Sequence, residues 1–459
     1  MGFRVGVDIG GTFADFAVLD EASGAVSTLK VLSTPDTPGE EVLSGLAGVQ
    51  QRFGIAPGDI SWFTHGTTVG VNAVIQRKGI RLALFTTRNF RDVLELARLK
   101  TPDPYDLLSR RPTPLVPRAL VFEIDGRLLA DGSEAEPLDP ASVEAAVAAA
   151  RARGAEGILV ALLHSYRNPV HEHAAKAIIA RVAPDLPAYC SADVWPIIRE
   201  YERTVTASVH GHAQPRVAHY LGSLQAALAK AGVAAEPMVP KSNGGVMRAE
   251  LGKTRCVEML LSGTAAGAMG AAFVARQAGI AQAMSLDIGG TSADVAVIEG
   301  GAPGYGSGEY VGDFPVYIPT VAVPSVGGGG GSLAAVDALG RLTVGPESAG
   351  STPGPACYGR GGVRATVTDA MCVLGCIGHA ALGYDSVSVN RALAEKAVDA
   401  IAAALGRDRE SAAEAIIQVA ISGMYREVSK LAARQGVDAR DFCLLPFGGA
   451  GPMLGALLA

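Results

Sequence analysis

Two apolar lead-ins, Phe3 to Val7 and Met284 to Leu286, each run into a Gly-Gly-Thr turn and leave through a second β-branched apolar run. That pattern predicts a strand, a glycine turn and a returning strand, twice. After the first copy, the apolar spacing predicts a helix over Pro38 to Arg52, a strand over Ile60 to His65, and a second helix opened by the stretch Gly66 to Asn72. Further along it predicts a strand from Arg81 to Thr87, an alanine-rich helix from Ala141 to Arg153 and a buried strand from Gly157 to Leu163. Val194 to Arg203 reads as the passage into a second lobe, with a long helix from about Ala213 to Ala231 behind it. Pro240 to Gly245 reads as a turn before a helix, and Leu261 to Gly270 as a small-residue segment ending in one. Two more helices, Ala392 to Leu405 and Ala412 to Gln435, precede a hydrophobic strand, Cys443 to Phe447, and the turn Gly448 to Pro452. Strands alternating with helices in this way predict an α/β fold.

The two hairpins are one sequence written twice. Residues 8 to 20 and 287 to 299 agree at nine of thirteen positions, sharing Asp-Ile-Gly-Gly-Thr and an Ala-Asp pair two residues later. Glycine lets backbone N–H groups approach phosphate oxygens unobstructed, and a threonine hydroxyl adds a donor. Gly10, Gly11 and Thr12, with Gly289, Gly290 and Thr291, are therefore candidate phosphate clamps. Asp8 and Asp287 stand where carboxylates hold a hydrated Mg²⁺, while Asp15 and Asp294 are candidates to orient an attacking group. A duplicated device implies two similar lobes facing one another, the first over residues 1–200 and the second over 201–459.

Other stretches spend residues on loops. Pro102 to Arg118 is a proline-rich connection long enough to be functional or to contact a partner. Gly327 to Gly331 is a run of five glycines, incompatible with a helix or strand interior, and Gly345 to Pro355 leads on to Cys357 and a further glycine cluster. Cys357 invites a nucleophile reading but equally a packing one. Asp369 is placed either to ligate Mg²⁺ or to start a helix. His65, Thr67 and Thr68 lie at a strand end ahead of a helix, suited to anion contact and equally to capping. His164, His171 and His173 raise the question of a metal, as do Cys372 and Cys376, but the turn at Asn168-Pro169 and the lone cysteine pair argue against both.

Composition narrows the partners. With 49% apolar residues, only 5% aromatic ones and 57 glycines in 459 residues, the chain suits parallel sheets covered by close-packed small-residue helices. Net charge is −6 and no Lys/Arg block occurs, which excludes the electrostatic footprint of a nucleic-acid binder. Six scattered cysteines and no leader segment predict free thiols and a cytoplasmic location. No apolar run approaches the roughly 20 residues of a membrane span.

The order phosphate loop, phosphate loop and Gly-Gly-Ala-Gly-Pro turn resembles the superfamily of acetate kinases, sugar kinases, Hsp70 chaperones and actin. Within it, Val7 to Phe13, His65 to Thr68, Arg77-Lys78-Gly79, Phe90-Arg91-Asp92, Arg199 to Arg203, Ser242 to Gly245, Asp287 to Asp294, Gly350 to Gly362 and Phe447 to Pro452 are similar to the A-type subunit of the hydantoinase/oxoprolinase family. The resemblance runs end to end. It implies two actin-like (ribonuclease H-like) lobes with ATP and Mg²⁺ in the cleft, and Gly448 and Gly449 against adenosine. The implied activity is ATP-dependent opening of a cyclic amide, with a B-type partner subunit in a larger oligomer. Related ketone carboxylation and small-molecule phosphorylation remain alternatives; a non-enzymatic actin-like module fits less well. Departures from the family pattern at Ala14, His210 to His212 and Thr264 to Ala266 leave the ring unassigned. The chain stops at Ala459, just past the adenosine turn, where A subunits typically continue into a C-terminal region, so a fragment of a longer protein and a shortened member are both open readings.

Overall fold

Phe3–Ile9 (β1) pairs antiparallel with Phe13–Asp20 (β2), which pairs with Val26–Leu32 (β3). The computed structural model describes residues 2–9, 13–32, 39–100, 103–350, 352–377 and 388–459. On the other edge of β1, Ile60–Thr67 (β4) runs parallel, and Pro237–Pro240 and Val246–Arg248 complete a six-stranded sheet. One face of β1 buries Val5, Val7 and Ile9, with Phe16 and Val18 beside them on β2, so the period-2 spacing of the apolar residues selects strand over helix. Helix Glu40–Phe53 (α1) covers this face: Gly45 and Gly48 lie where a Cβ would strike the rings and methyls of Phe16 and Leu29.

The second hairpin repeats the plan. Gln282–Ile288 pairs antiparallel with Ser292–Glu299, and Cys443–Phe447 lies parallel to its outer edge, as β4 lies against β1. The registers match, Asp8 facing Asp15 and Asp287 facing Asp294. Between the two hairpins, a four-stranded parallel sheet in the order Ala188–Cys190, Gly157–Val160, Leu82–Thr87 and Val121–Ile124 carries its own core of Ala83, Phe85, Ile158 and Val160. Among the described residues, no helix is long and apolar enough to cross a membrane.

Several boundaries differ from the sequence reading. The long helix begins at Glu200 and runs to Ala231, so the last four residues of the passage Val194 to Arg203 form its first turn. Arg203 there is 1% exposed, donating to the Leu162 carbonyl (2.7 Å), the Ile197 carbonyl (3.1 Å) and Ser191 Oγ (3.0 Å), while Glu202 holds Arg98. These charged residues are buried and paired, which sequence spacing does not reveal. Residues 237–248 join the sheet of β1. Pro240 to Gly245 turns into the short strand Val246–Arg248 before a helix, and Ser262–Gln277 is helical throughout. Part of the second loop, through Ser348, forms a strand (Leu342–Ser348) paired with Ser332–Val336.

Candidate functional site

The duplicated aspartates converge electrostatically. Asp287 is pushed up to about 6, first by burial and then by the charges of Asp294 and Asp8. Asp8 is raised by burial and by Asp15, with Lys30 opposing. Asp294 is raised by burial and partly relieved by the Ser325 hydroxyl. The influence of Asp8 on Asp287 joins the first hairpin to the second. Helix Ser262–Gln277 packs between them: a Cβ on Gly267 would lie 3.7 Å from Asp287 Oδ2 and 3.1 Å from the Phe447 ring. Gly66 plays the corresponding part for Asp8, its Cβ position being 3.1 Å from Asp8 Oδ1. Asp15 is half exposed and bridges to Lys30 at 2.9 Å, a partner facing it across the β2–β3 register.

Asp8 and Asp287, each raised by burial and by carboxylate neighbours, are the candidates to hold a cation, whose charge would offset that repulsion; among the described residues no three of the four aspartates form a close ligand cluster. In the folded chain without metal, a raised carboxyl stabilises only while protonated. The contribution of Asp287 is complete below the unfolded value of about 4 and is lost as pH rises through about 6. We therefore expect Asp287→Asn to raise the metal-free melting temperature at about pH 7.5 and to have little effect at about pH 4.5. Calorimetry giving the same shift at both pH values would contradict this.

The second glycine turn is held in detail. Gly330 N–H donates to the Gly289 carbonyl (3.0 Å) and Gly331 N–H to the Gly290 carbonyl (2.7 Å), while Ser348 Oγ reaches the Gly290 carbonyl at 3.3 Å and lies 3.5 Å from Thr291 Oγ1. The five-glycine run is thus a brace for the turn. A Cβ on Gly329 or Gly331 would sit 2.7 or 2.8 Å from those carbonyls, which is why side chains are excluded. Thr368 fastens the brace from below, its N–H and Oγ1 both 2.8 Å from the Gly330 carbonyl. The corresponding turn residues of the first copy, Gly10, Gly11 and Thr12, lie outside the described residues.

Gly448 and Gly449 follow the strand Cys443–Phe447. At Gly448, with φ +83°, a Cβ would fall 2.1 Å from Asp287 Oδ1; at Gly449 nothing lies within 4 Å. The first keeps the carboxylate in place, and the second faces open space.

His65 lies beside β1, opposite Val7, fully buried. Burial drops its pKa to about 3, its Nε2 lies 2.5 Å from the Tyr220 hydroxyl, and its Nδ1 has no partner. Tyr220, from the long helix, was invisible to motif reading because it sits 155 residues away. Thr67 Oγ1 accepts from Val69 N–H at 3.3 Å, a helix-start role, and also bonds Tyr220; Thr68 Oγ1 accepts from Asn72.

Other candidates resolve into scaffold. Asp369 is fully buried and accepts from the N–H groups of Cys357 (2.7 Å), Ala356 and Thr366 and from the Thr366 hydroxyl, a capping box that leaves no role in metal binding. Burial pushes the Cys357 thiol up, with the Asp369 charge adding to it, so the nucleophile reading gives way to packing. Cys372 is buried beside Cys357 and Cys376 is exposed beyond the helix end, so that pair does not converge on a metal. All six cysteines are free thiols. Two cavities, of about 330 and 570 Å³, are lined by neither aspartate pair.

Comparison with known proteins decides the family. The hydantoinase/oxoprolinase N-terminal region matches residues 4–183, and the hydantoinase/oxoprolinase model matches residues 203–459. The chain belongs to the hydantoinase/oxoprolinase family. It is 35% identical to the caprolactamase subunit alpha of Pseudomonas jessenii, over 98% of this chain and 66% of that one. It is 33% identical to the acetophenone carboxylase gamma subunit of Aromatoleum aromaticum, over 98% and 63%. Among solved structures, nucleotide-free acetone carboxylase superimposes with a TM-score of 0.88 at 27% identity, covering all of this chain and 67% of that one. The P. jessenii caprolactamase superimposes at 0.85 and 35% over 99% and 67%. The chain spans about two thirds of the length of these family members. Its fold is α/β with two actin-like lobes, as the family resemblance implied.

Proposed function

We propose that this chain is the nucleotide-binding part of an ATP-dependent cyclic amidohydrolase acting on a hydantoin, 5-oxoproline or a lactam. The observation that carries the reading is the paired carboxylates of two hairpins with the same sequence and register, close enough for Asp8 to raise the pKa of Asp287. Asp8 and Asp287 would hold Mg²⁺ through water; the ion would neutralise charge on the nucleotide phosphates. The Gly289-Gly290-Thr291 turn, held by its glycine brace, would offer donors to the phosphates, and the repeated sequence gives Gly10, Gly11 and Thr12 the same part. Gly449 leaves room for adenosine.

An unstrained amide carbonyl resists water. Transfer of the γ-phosphoryl of ATP to its oxygen releases ADP and leaves an imidate phosphate; water then adds at carbon, the C–N bond breaks with a proton passing to nitrogen to leave an acyl phosphate, and a second water hydrolyses that to carboxylate and phosphate. The protein contributes position and charge rather than a covalent link. Asp294, beside Asp287 in register, or Asp15, paired with Lys30, orients the attacking group. His65 and Thr67, buried and joined through Tyr220 on the face of β4 away from Asp8, would position the exposed Thr68 for the substrate. Caprolactam is the ring named in the P. jessenii relative, and a lactam is accordingly the first substrate class to try.

The likeness to acetophenone and acetone carboxylases supports a second reading, ATP-driven carboxylation of a ketone at the same site. The names of the relatives, alpha and gamma subunits, support action with a B-type partner in an oligomer. Six free thiols fit the cytoplasm. Screening lactams, hydantoins, 5-oxoproline and ketones for stimulated ADP release, with and without bicarbonate and a B-type subunit, separates the readings. Ring-dependent, bicarbonate-independent release is expected. Release that requires both ketone and bicarbonate would replace this reading with the second, and a stable phosphorylated product would make the protein a kinase.

A further inference from the structure

Away from the aspartates, on the edge of the four-stranded parallel sheet, three side chains with metal-binding atoms meet. His173 comes from helix Val170–Val182, Cys190 ends the strand Ala188–Cys190, and Asp193 belongs to the short helical turn after it. Their ligating atoms all lie within 4.8 Å of one another, with His173 Nε2 2.8 Å from Asp193 Oδ1. The sequence directs attention to His164, His171 and His173, but the fold separates these. His171 turns to Glu134 at 2.8 Å and His164 stacks edge-on to Tyr166. The partners of His173 are instead a thiol and a carboxylate 17 and 20 residues on, brought round because the helix packs on the strand that follows it.

The donor set is one imidazole nitrogen, one thiol sulfur and one carboxylate oxygen. Hard cations such as Mg²⁺ and Ca²⁺ prefer oxygen alone, whereas nitrogen and sulfur together suit Zn²⁺ in a tetrahedral arrangement. Cys190 is 1% exposed; its Sγ donates to the Glu172 carbonyl at 3.4 Å and also meets the Asp193 carboxylate. Cys190 and Asp193 also line the cavity of about 330 Å³, together with Lys176, His210 and Glu258. A fourth coordination position therefore opens into a space that holds water or a small ligand.

We propose that His173, Cys190 and Asp193 form a zinc site with three protein ligands and one exchangeable position. On binding, the Cys190 thiol gives its proton to solvent as the sulfur–zinc bond forms, and neutral His173 supplies its Nε2 lone pair. The Lys176 ammonium, 3.5 Å from Asp193 Oδ2 and half exposed, swings into water. The site ties the helix to the strand end, and it stands independently of the nucleotide reading.

The test uses the full chain in a Cys376→Ser/Cys443→Ser background, which removes the two exposed thiols, stripped with chelator and titrated with Co²⁺ and then Zn²⁺. A near-ultraviolet sulfur-to-cobalt charge-transfer band, abolished by Zn²⁺, is expected. His173→Gln alters an exposed side chain and leaves the fold intact, and it should weaken Zn²⁺ affinity about 100-fold or more. Cys190→Ser should lose the band; should that variant not fold, His173→Gln decides. Absence of the band in the parent protein, its persistence in folded Cys190→Ser, or equal Zn²⁺ affinity in His173→Gln would overturn the site.

Discussion

Asp8→Asn and Asp287→Asn are each expected to lower ATP turnover by about 10² or more, with the fold preserved. Each removes one negative charge from a site where that charge is strained rather than stabilising: burial and carboxylate neighbours raise both groups. A core role would predict the reverse, lost stability with little kinetic effect. The two outcomes are separable because Asp287→Asn should melt higher than the parent at neutral pH while turning over more slowly. Steady-state ADP release and calorimetry on the same preparations provide both readouts. Near-parent turnover in both variants would remove the paired aspartates from the site and with them the two-hairpin arrangement of the nucleotide.

Gly449→Val is expected to weaken ATP binding about tenfold or more, equivalent to about 1.4 kcal/mol, with almost no change in melting temperature. The contrast with its neighbour makes the test informative. A side chain at Gly449 meets no protein atom within 4 Å and its backbone angle is ordinary, so the fold accepts valine and only a nucleotide lying there is displaced. At Gly448 the backbone is left-handed at φ +83° and a Cβ would strike Asp287 Oδ1 and the Ile288 carbonyl, so Gly448→Ala should impair stability and turnover together. Unchanged nucleotide affinity in Gly449→Val, measured by titration calorimetry, would place adenosine elsewhere.

The sequence by itself determined the α/β class, the two hairpins and their repeated sequence, the strand Cys443–Phe447 and most helices to within a few residues. These rest on local causes: alternation of apolar positions within one strand, glycine where the chain turns, and repetition of Asp-Ile-Gly-Gly-Thr. Tertiary structure decided what those local patterns serve. Only the packed lobes bring Asp8 within electrostatic reach of Asp287, set Tyr220 on His65, turn a loose-looking glycine run into a brace for Gly289 and Gly290, and convert Asp369 from a metal candidate into a cap. The same holds for Arg199 to Arg203, legible as a motif but read as a crossing between lobes, when burial had made Arg203 an anchor for backbone carbonyls. The physical reason is that charge, burial and hydrogen bonding depend on neighbours distant in the chain, and neither spacing nor composition carries that distance.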